Sequence, residues 1–207
     1  MTTPRKTLGL RRSPKADERK ATIKLAAIKA FSTRGYEQTT LDELATAAGV
    51  SKALLYWHWK NKGALLTELV DECMVQYENL LARAVASDAP YAEKLMRLFS
   101  DALDLLERNT ELNQLVHFCS LHSSHKTEER FSEQVEQHYR EIVRLLRALL
   151  REGIDSGHFR DSLDPAALAQ AALCLVEGHI YLSILGAAPP LRKMVDQLQL
   201  LLLPHPI

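Results

Sequence analysis

One short stretch, residues 40–61, carries a series of helix-boundary signals that restricts the fold more than any other feature of the chain. The string TLDE at residues 40–43 has the form of a capping box. The Thr40 hydroxyl can accept a hydrogen bond from the Glu43 amide, while the Glu43 carboxylate accepts one from the Thr40 amide. Gly49 allows a tight turn, and Ser51 and Asn61 can each cap a further helix. The stretch therefore predicts two short helices, about 41–48 and 52–59, joined by a tight turn and followed by a longer helix from Asn61.

The rest of the chain has apolar residues at helical spacing, and no alternating strand pattern competes with them. A first helix is predicted over about 17–34, with Gly35 as its stop, and the helix from Asn61 extends to about residue 86. Further helices are predicted at about 90–108, 110–125, 127–156, 164–185 and 190–203. We predict an all-α fold with a flexible basic arm (1–16), a small helical domain (17–77, its helix-turn-helix at about 40–59) and a larger helical domain (78–207).

The charges of the chain are distributed unevenly, although they sum to zero. Residues 1–62 hold 13 Lys or Arg against 5 Asp or Glu, while residues 63–207 hold 13 against 21. A basic end attracts polyanions, and an acidic remainder is repelled by them. The charge distribution therefore predicts contact with nucleic acid through the N-terminal end.

Cysteine usage and hydropathy indicate the compartment. The three cysteines, Cys73, Cys119 and Cys174, are odd in number and lie in apolar helical contexts, which is not the spacing of a disulfide framework. The late apolar run at residues 200–203 is far too short to span a bilayer. We expect a protein of the reducing cytoplasm, neither secreted nor inserted in a membrane.

The residues of the helix-turn-helix resemble a known family. Two short helices joined by a glycine turn, with another packed against them, form a unit whose second short helix can enter the major groove. The strings TTL at 39–41, AGVSK at 48–52 and YWHWKNKGALL at 56–66 are similar to the tetracycline-repressor (TetR) family. The resemblance covers about residues 17–77, whereas the rest resembles the family only in being helical and of suitable length. It implies a ligand-responsive transcriptional regulator, most often a repressor, that binds a palindromic double-stranded DNA operator as a homodimer.

Several side chains of the helix-turn-helix can contact DNA phosphates. Tyr56, His58 and Lys62 can each donate a hydrogen bond to a phosphate oxygen, which fixes register without reading sequence. A solvated face is the alternative for all three. The Thr40 hydroxyl is a further candidate, although its capping role alone would explain it. The residues expected to form the apolar core instead are Leu44, Ala45, Ala48, Val50, Leu55 and Trp59.

Base reading is expected at the start of the second short helix, where Lys52 and Ala53 are the candidate DNA-binding residues. Lys52 lies where a side chain can reach guanine O6 or N7, with a phosphate contact as the alternative. Ala53 and Leu54 depart from the family's usual pair of a small and a hydroxyl residue, so Leu54 loses a phosphate donor and gains a possible thymine-methyl contact. The operator sequence therefore cannot be read from these residues. Basic residues of the arm could enter a flanking minor groove or form a solvated tail: Arg5, Lys6, Arg11, Arg12 and Lys15.

The larger domain is expected to bind a small, largely apolar effector. Its most unusual local chemistry is the segment 117–125, in which Cys119, His122 and His125 follow at steps of three and can share a helix face. A metal site would need a fourth ligand from elsewhere, so we expect no metal and interpret the segment as a wet face or a polar cavity lining. The candidate ligand-binding residues are Tyr77, Phe99, His117, Cys119, His122, Tyr139, Cys174 and Tyr181.

The last two predicted helices are expected to form the dimer interface, with an internal core as the alternative. Small and apolar residues recur at helical spacing along 164–185 and 190–203, and two such helices from each subunit would make a four-helix contact. An enzyme would need an activated nucleophile or a convergent acid–base pair, and no such spacing occurs, so we expect neither enzyme activity nor a cofactor. A DNA-binding protein without a small-molecule signal, or a transcriptional activator, are the alternative functions.

Overall fold

The computed structural model describes residues 14–122 and 126–202, and within these ranges all regular structure is helical. The prediction of an all-α fold is confirmed. The described residues form nine helices: α1 (Pro14–Arg34), α2 (Leu41–Ala47), α3 (Lys52–His58), α4 (Lys62–Val85), α5 (Tyr91–Arg108), α6 (Thr110–His122), α7 (Lys126–Asp155), α8 (Pro165–Ile184) and α9 (Leu191–Leu202).

The chain divides into two compact units, Met1–Leu65 and Leu66–Ile207. The boundary predicted from the sequence, between residues 77 and 78, lies further along the same helix. Helix α4 begins in the first unit and continues in the second, which is why its apolar period gave no sign of where the first unit ends.

Local signals set the helix ends in the first unit. Helix α1 begins at Pro14, inside the segment predicted as the arm, because a proline in the first turn lacks only an amide that has no intrahelical partner there. The predicted capping box is confirmed, since the Thr40 hydroxyl accepts from the Glu43 amide at 3.3 Å and Glu43 Oε2 accepts from the Thr40 amide at 2.8 Å. Gly49, at φ +66°, makes the turn before α3.

The core of the first unit forms where α1, α2 and α3 meet. Ile23 and Phe31 of α1 pack with Leu44 of α2 and Leu55 of α3, all at most 2% exposed. Burying each such side chain contributes about 1.5–3 kcal/mol. Of the core residues predicted from sequence, Leu44, Ala45, Leu55 and Trp59 are buried, whereas Ala48 and Val50 are half-buried.

Polar pairs tie together the helices of the second unit. The buried Lys94 ammonium of α5 donates to both carboxylate oxygens of Glu152 on α7, at 2.7 and 2.9 Å. Close to this pair, Gly153 of α7 is required because a Cβ there would collide with the hydroxyl of Tyr91. These contacts hold α5 against α7 along one side of the cavity described below.

Candidate DNA-binding surface and effector cavity

Helix α3 presents one exposed face, because its opposite face is buried in the core of the first unit. Leu55 is fully buried and Trp59 at its C-cap is 2% exposed. The exposed face carries Lys52, Ala53, Tyr56 and Trp57. The first three were predicted as DNA contacts, and the structure places them together.

The exposed face includes one large residue that the sequence analysis did not single out. Trp57 is 77% exposed and Tyr56 is 51% exposed, so two neighbouring aromatic side chains lie in solvent. Helical spacing could have indicated that Trp57 is exposed. Trp57 lies one helical turn after Ala53, on the same face, and does not share the face of the buried Leu55. An exposed aromatic pair on a short helix is an unusual surface for a protein that does not use it in contacts.

The Lys52 ammonium donates to Asp42 Oδ2 at 2.6 Å, linking the start of α3 to α2. This hydrogen bond, together with the negative charge of Asp42, raises the pKa of Lys52 above its ordinary value. Both side chains remain largely exposed, so the pair is open to exchange with other partners. Lys52 therefore stays protonated, and Asp42 holds its ammonium in a defined position on the exposed face of α3.

Lys62 is held within the first unit. Its ammonium donates to the backbone oxygens of Tyr36 at 2.9 Å and Glu37 at 3.1 Å, and it lies 4.3 Å from the centre of the Tyr36 ring. It also approaches Glu37 Oε2 at 3.2 Å. These contacts tie the start of α4 to the turn after α1, a structural role that was not predicted.

The other predicted DNA contacts occupy different settings. Thr40 is exposed at the N-cap of α2, where its hydroxyl takes part in the capping box. His58 is half-buried, and its ring lies between those of Trp57 and Trp59, with centroids 4.7 and 5.2 Å away. Arg5, Lys6, Arg11 and Arg12 of the predicted arm lie outside the described residues, as does the side chain of Lys15.

The second unit contains a cavity of about 460 Å³, lined almost wholly by aliphatic and aromatic side chains from α4, α5, α6, α7, α8 and α9. Leu98 and Phe99 of α5 and Leu146 of α7 are among them. A cavity of this size and composition suits a small apolar molecule. An adjoining cavity of about 680 Å³ is more polar, and Arg192 and Lys193 line it.

Polar groups gather at one end of the apolar cavity. The Tyr77 hydroxyl and the Asn113 side chain are hydrogen-bonded at 2.9 Å, and the Cys73 thiol donates to Asn113 Oδ1 at 3.5 Å. Burial raises the pKa of Tyr77 to about 12 and that of Cys73 to about 12, so both are neutral at physiological pH. The pKa of Tyr139 is also raised, first by burial and then by the negative charge of Glu177.

Glu177 is the only charged side chain among the described residues that line the apolar cavity. Its Oε2 lies 3.4 Å from Nδ1 of His117, and the side chain is 25% exposed. Glu177 was not among the predicted ligand-binding residues, because a single glutamate on an apolar helix carries no local signal. Asn113 was not predicted either, because a single asparagine on an apolar helix also carries no local signal.

The structure brings together only part of the predicted ligand-binding set. Tyr77, Phe99 and Tyr139 line the cavity, and His117 contacts its lining residue Glu177. The buried Cys119 does not line the cavity. Cys174 and Tyr181 also lie outside it, because they are two helical turns apart on the exposed face of α8. The side chain of His122 and all of His125 lie outside the described residues. Within the described ranges, no group of three or more His, Cys, Asp or Glu side chains is arranged to hold a metal ion.

Helix α8 is apolar yet largely exposed. Its outer face forms a stripe, here called the α8 stripe, of Ala167, Cys174, Gly178, Tyr181, Leu182 and Leu185, all of them exposed. By length and composition alone α8 would be apolar enough to cross a membrane, which the sequence analysis did not anticipate because Gln170, Glu177 and His179 interrupt the run. Leu168 and Leu175, which belong to the segment 164–185 predicted for the dimer contact, line the cavity. Exposed apolar faces are typical of contact surfaces.

Comparison with known proteins agrees with this arrangement. Residues 23–69 match the family model of bacterial regulatory proteins of the tetR family, and residues 92–198 match the tetracyclin repressor-like C-terminal domain. The chain is 29% identical over 175 residues to the HTH-type transcriptional regulator TtgR of Pseudomonas putida, covering 82% of each chain. It is 28% identical over 132 residues to the HTH-type negative transcriptional regulator IcaR of Staphylococcus epidermidis, covering 64% of this chain and 67% of that one.

The fold is also found among solved structures. The fatty acid degradation regulator FadR of Bacillus halodurans superposes with a TM-score of 0.70 at 22% identity, covering 94% of this chain and 97% of that one. The second family model alone matches more than half of the chain. The chain therefore belongs to the TetR family of bacterial regulatory proteins and is a DNA-binding transcriptional regulator, not an enzyme.

Proposed function

We propose that this regulator is a repressor that binds a palindromic operator as a homodimer in the cytoplasm and is released by a small, largely apolar effector. The observation that carries the proposal is the presence, in one chain, of an exposed polar and aromatic face on α3 and a largely apolar cavity in the second unit. The name of the Staphylococcus epidermidis relative describes a negative regulator, which supports repression.

On DNA, the exposed face of α3 enters the major groove. Lys52 leaves Asp42 and donates to guanine, while Ala53 and Trp57 supply apolar surface for a thymine methyl group. Tyr56, together with Thr40 and His58 beside the helix, donates to phosphate oxygens and sets the register.

Selection of bound duplexes from a random pool tests this model. A two-fold dimer is expected to enrich palindromes whose half-site centres are about 10–10.5 base pairs, or a multiple of that distance, apart. Enrichment of a single half-site would reject the dimeric operator, and no enrichment would reject sequence-specific binding. With the selected sequence placed across a promoter, transcription in vitro should fall when the protein is added, whereas a rise would identify an activator.

The α8 stripe forms the dimer contact. Its centre is Gly178, where an added Cβ would have no atom within 4 Å, so the single chain has room for a larger side chain. In a dimer the same position lies where two helices approach closely, and a large charged side chain would separate them. Gly178→Arg should therefore yield a folded monomer in sedimentation experiments. The control Met96→Arg adds the same charge at a 72% exposed residue of α5 and should stay dimeric. A dimeric Gly178→Arg variant would reject this interface.

The effector acts through α4. The part of this helix in the second unit lines the cavity with Met74, Tyr77, Leu80 and Leu81, and the helix begins in the first unit. A molecule in the cavity that displaces α4 changes the separation of the two recognition helices in the dimer. Linkage requires operator and effector to weaken each other by the same factor, with a coupling of about 1–3 kcal/mol. Calorimetric titration of a cavity ligand into free and operator-bound protein measures it, and equal affinities would favour a DNA-binding protein without a small-molecule signal.

A further inference from the structure

The polar end of the apolar cavity is acidic, and we propose that it selects effectors that join an apolar body to a protonated amine and excludes effectors whose polar group is an anion. The inference rests on the proposed function of the cavity as the effector site, and it adds the chemical class of the effector.

The charge of Glu177 is decisive because of where it lies. It is the only charged side chain among the described residues lining the cavity, and apart from Asn113 the other lining side chains are aliphatic or aromatic. In such surroundings a charge acts through a low effective dielectric, so its effect on a bound group is larger than in water. A carboxylate placed beside it would suffer like-charge repulsion in addition to its own desolvation, whereas an ammonium would be compensated.

Glu177 has hydrogen-bonding capacity to spare. Its contact with His117 Nδ1 is 3.4 Å, beyond the usual range for a strong N–H···O bond. The neutral phenol of Tyr139 also interacts with it. A carboxylate offers about four acceptor positions, and an ammonium supplies three donors. A bound amine can therefore donate to Glu177 without displacing either neighbour.

The aromatic residues near Glu177 favour the same ligand class. The rings of Tyr77 and Tyr139 line the same cavity as Glu177, and the negative charge of Glu177, after burial, contributes to raising the pKa of both phenols. Aromatic faces attract cations once water is excluded. Two phenols and one carboxylate thus form a polar end that suits an ammonium, with aliphatic side chains such as Leu98 and Leu146 around the rest of the ligand.

Arg192 and Lys193 provide the competing possibility. They line the adjoining cavity, where an anionic group could pair with them. Both are exposed, so solvent and salt weaken their attraction for an anion. The carboxylate inside the apolar cavity is therefore the stronger determinant of which head group is accepted.

Three probes with the same ten-carbon chain and different head groups test the proposal: decylamine, decanol and decanoate, each kept below its micelle-forming concentration. At neutral pH the amine is a cation and the acid an anion. Calorimetry on the full-length dimer should show decylamine binding tighter than decanoate by on the order of tenfold or more. In Glu177→Gln this preference should vanish, while decanol affinity should stay within about twofold. The control Glu133→Gln removes an exposed carboxylate outside the cavity and should keep the preference.

The outcomes separate this inference from the proposed function. Decanoate binding as tightly as decylamine, failure of all three probes to bind, or an unchanged preference in Glu177→Gln would each overturn the amine class. A loss of decanoate affinity when Arg192 and Lys193 are both replaced by alanine would also overturn it. These wild-type and double-variant measurements decide the matter even if Glu177→Gln does not fold. Selective decylamine binding without any change in operator affinity would leave the ligand class standing and reject the release mechanism.

Discussion

The two units of this regulator present recognition surfaces of opposite kinds. In the first unit, a buried core fixes a short helix whose outer face, with Lys52 and Trp57, meets solvent. In the second unit, Glu177 lines a cavity formed by side chains from six helices. An exposed face can meet a large polyanion without opening the fold, whereas a cavity between helices can bury a small molecule and gain from excluding water. The units therefore differ in what a substitution in each should do.

The largest contrast is expected from matched Leu→Ala substitutions. Leu55 is fully buried in the core of the first unit, so Leu55→Ala should lower the free energy of unfolding by about 3–5 kcal/mol and abolish operator binding. Leu146 is half-buried and already borders empty volume, so Leu146→Ala should cost less stability and change cavity-ligand affinity instead. Urea denaturation followed by circular dichroism gives both values. Equal losses would show that the second unit is packed as tightly around its cavity as the first is around Leu55.

The same contrast explains what could be predicted from the sequence. The capping box of Thr40 and Glu43 and the turn at Gly49 are local, because each signal and its partner lie within a few residues. The exposed face of α3 followed from these signals once its buried side, at Leu55, was known. Lys62 was harder, because its acceptors lie in the turn after α1, far away in sequence.

The cavity could be predicted only in outline. Tyr77, Phe99 and Tyr139 were found because aromatic residues on the apolar faces of helices tend to be buried. Cys174 and Tyr181 were misplaced because an apolar helix can be covered on more than one side, and its sequence does not indicate which side meets the cavity. Glu177 became meaningful only when the fold placed it beside Tyr139.

A second contrast concerns the ion pair between Lys94 and Glu152 in the second unit, which should affect stability and not operator binding. The Lys94 side chain is 3% exposed and depends on Glu152, so Glu152→Gln leaves a buried ammonium poorly compensated. Because Glu152 itself is 41% exposed, we expect Glu152→Gln to lower the free energy of unfolding by a moderate amount, about 1–3 kcal/mol. The double substitution Lys94→Met with Glu152→Leu should largely restore the stability. Thermal denaturation of the single and double variants measures this. Operator affinity below the unfolding range should not change, and a large drop would mean that this pair also acts in DNA binding.

Within the first unit, substitutions of Lys52 and Lys62 should have different effects on DNA binding. Lys52→Ala should lower discrimination at one base pair of each half-site on the order of tenfold, while affinity for random DNA falls less. Lys62→Met should lower the melting temperature, because the backbone carbonyl groups of Tyr36 and Glu37 lose the hydrogen bonds from the Lys62 ammonium, and it should leave the salt dependence of binding unchanged. Titrations over a range of salt concentrations provide the comparison. A fall of about 0.9 in the logarithmic salt slope of Lys62→Met would instead identify Lys62 as a phosphate contact.

The smallest expected effect is a pH dependence that arises from the capping box. Hydrogen bonds from the backbone and then the side chain of Thr40 lower the pKa of Glu43 below its ordinary value. A carboxylate whose pKa is depressed by folding stabilises the folded state at pH values above its unfolded pKa, and this contribution is lost as the pH falls through the folded pKa. The wild-type first unit should therefore lose a small part of its stability as acid is added below the ordinary glutamate pKa.

Glu43→Gln keeps an acceptor for the Thr40 amide but cannot titrate, so the stability difference between the two proteins should narrow in this pH range. Urea denaturation at several pH values between neutral and about 3, on both sides of the ordinary glutamate pKa, measures the difference. A constant difference across that range would mean that the interaction does not depend on the Glu43 charge, and that α2 is positioned by the burial of Leu41 and Leu44 alone.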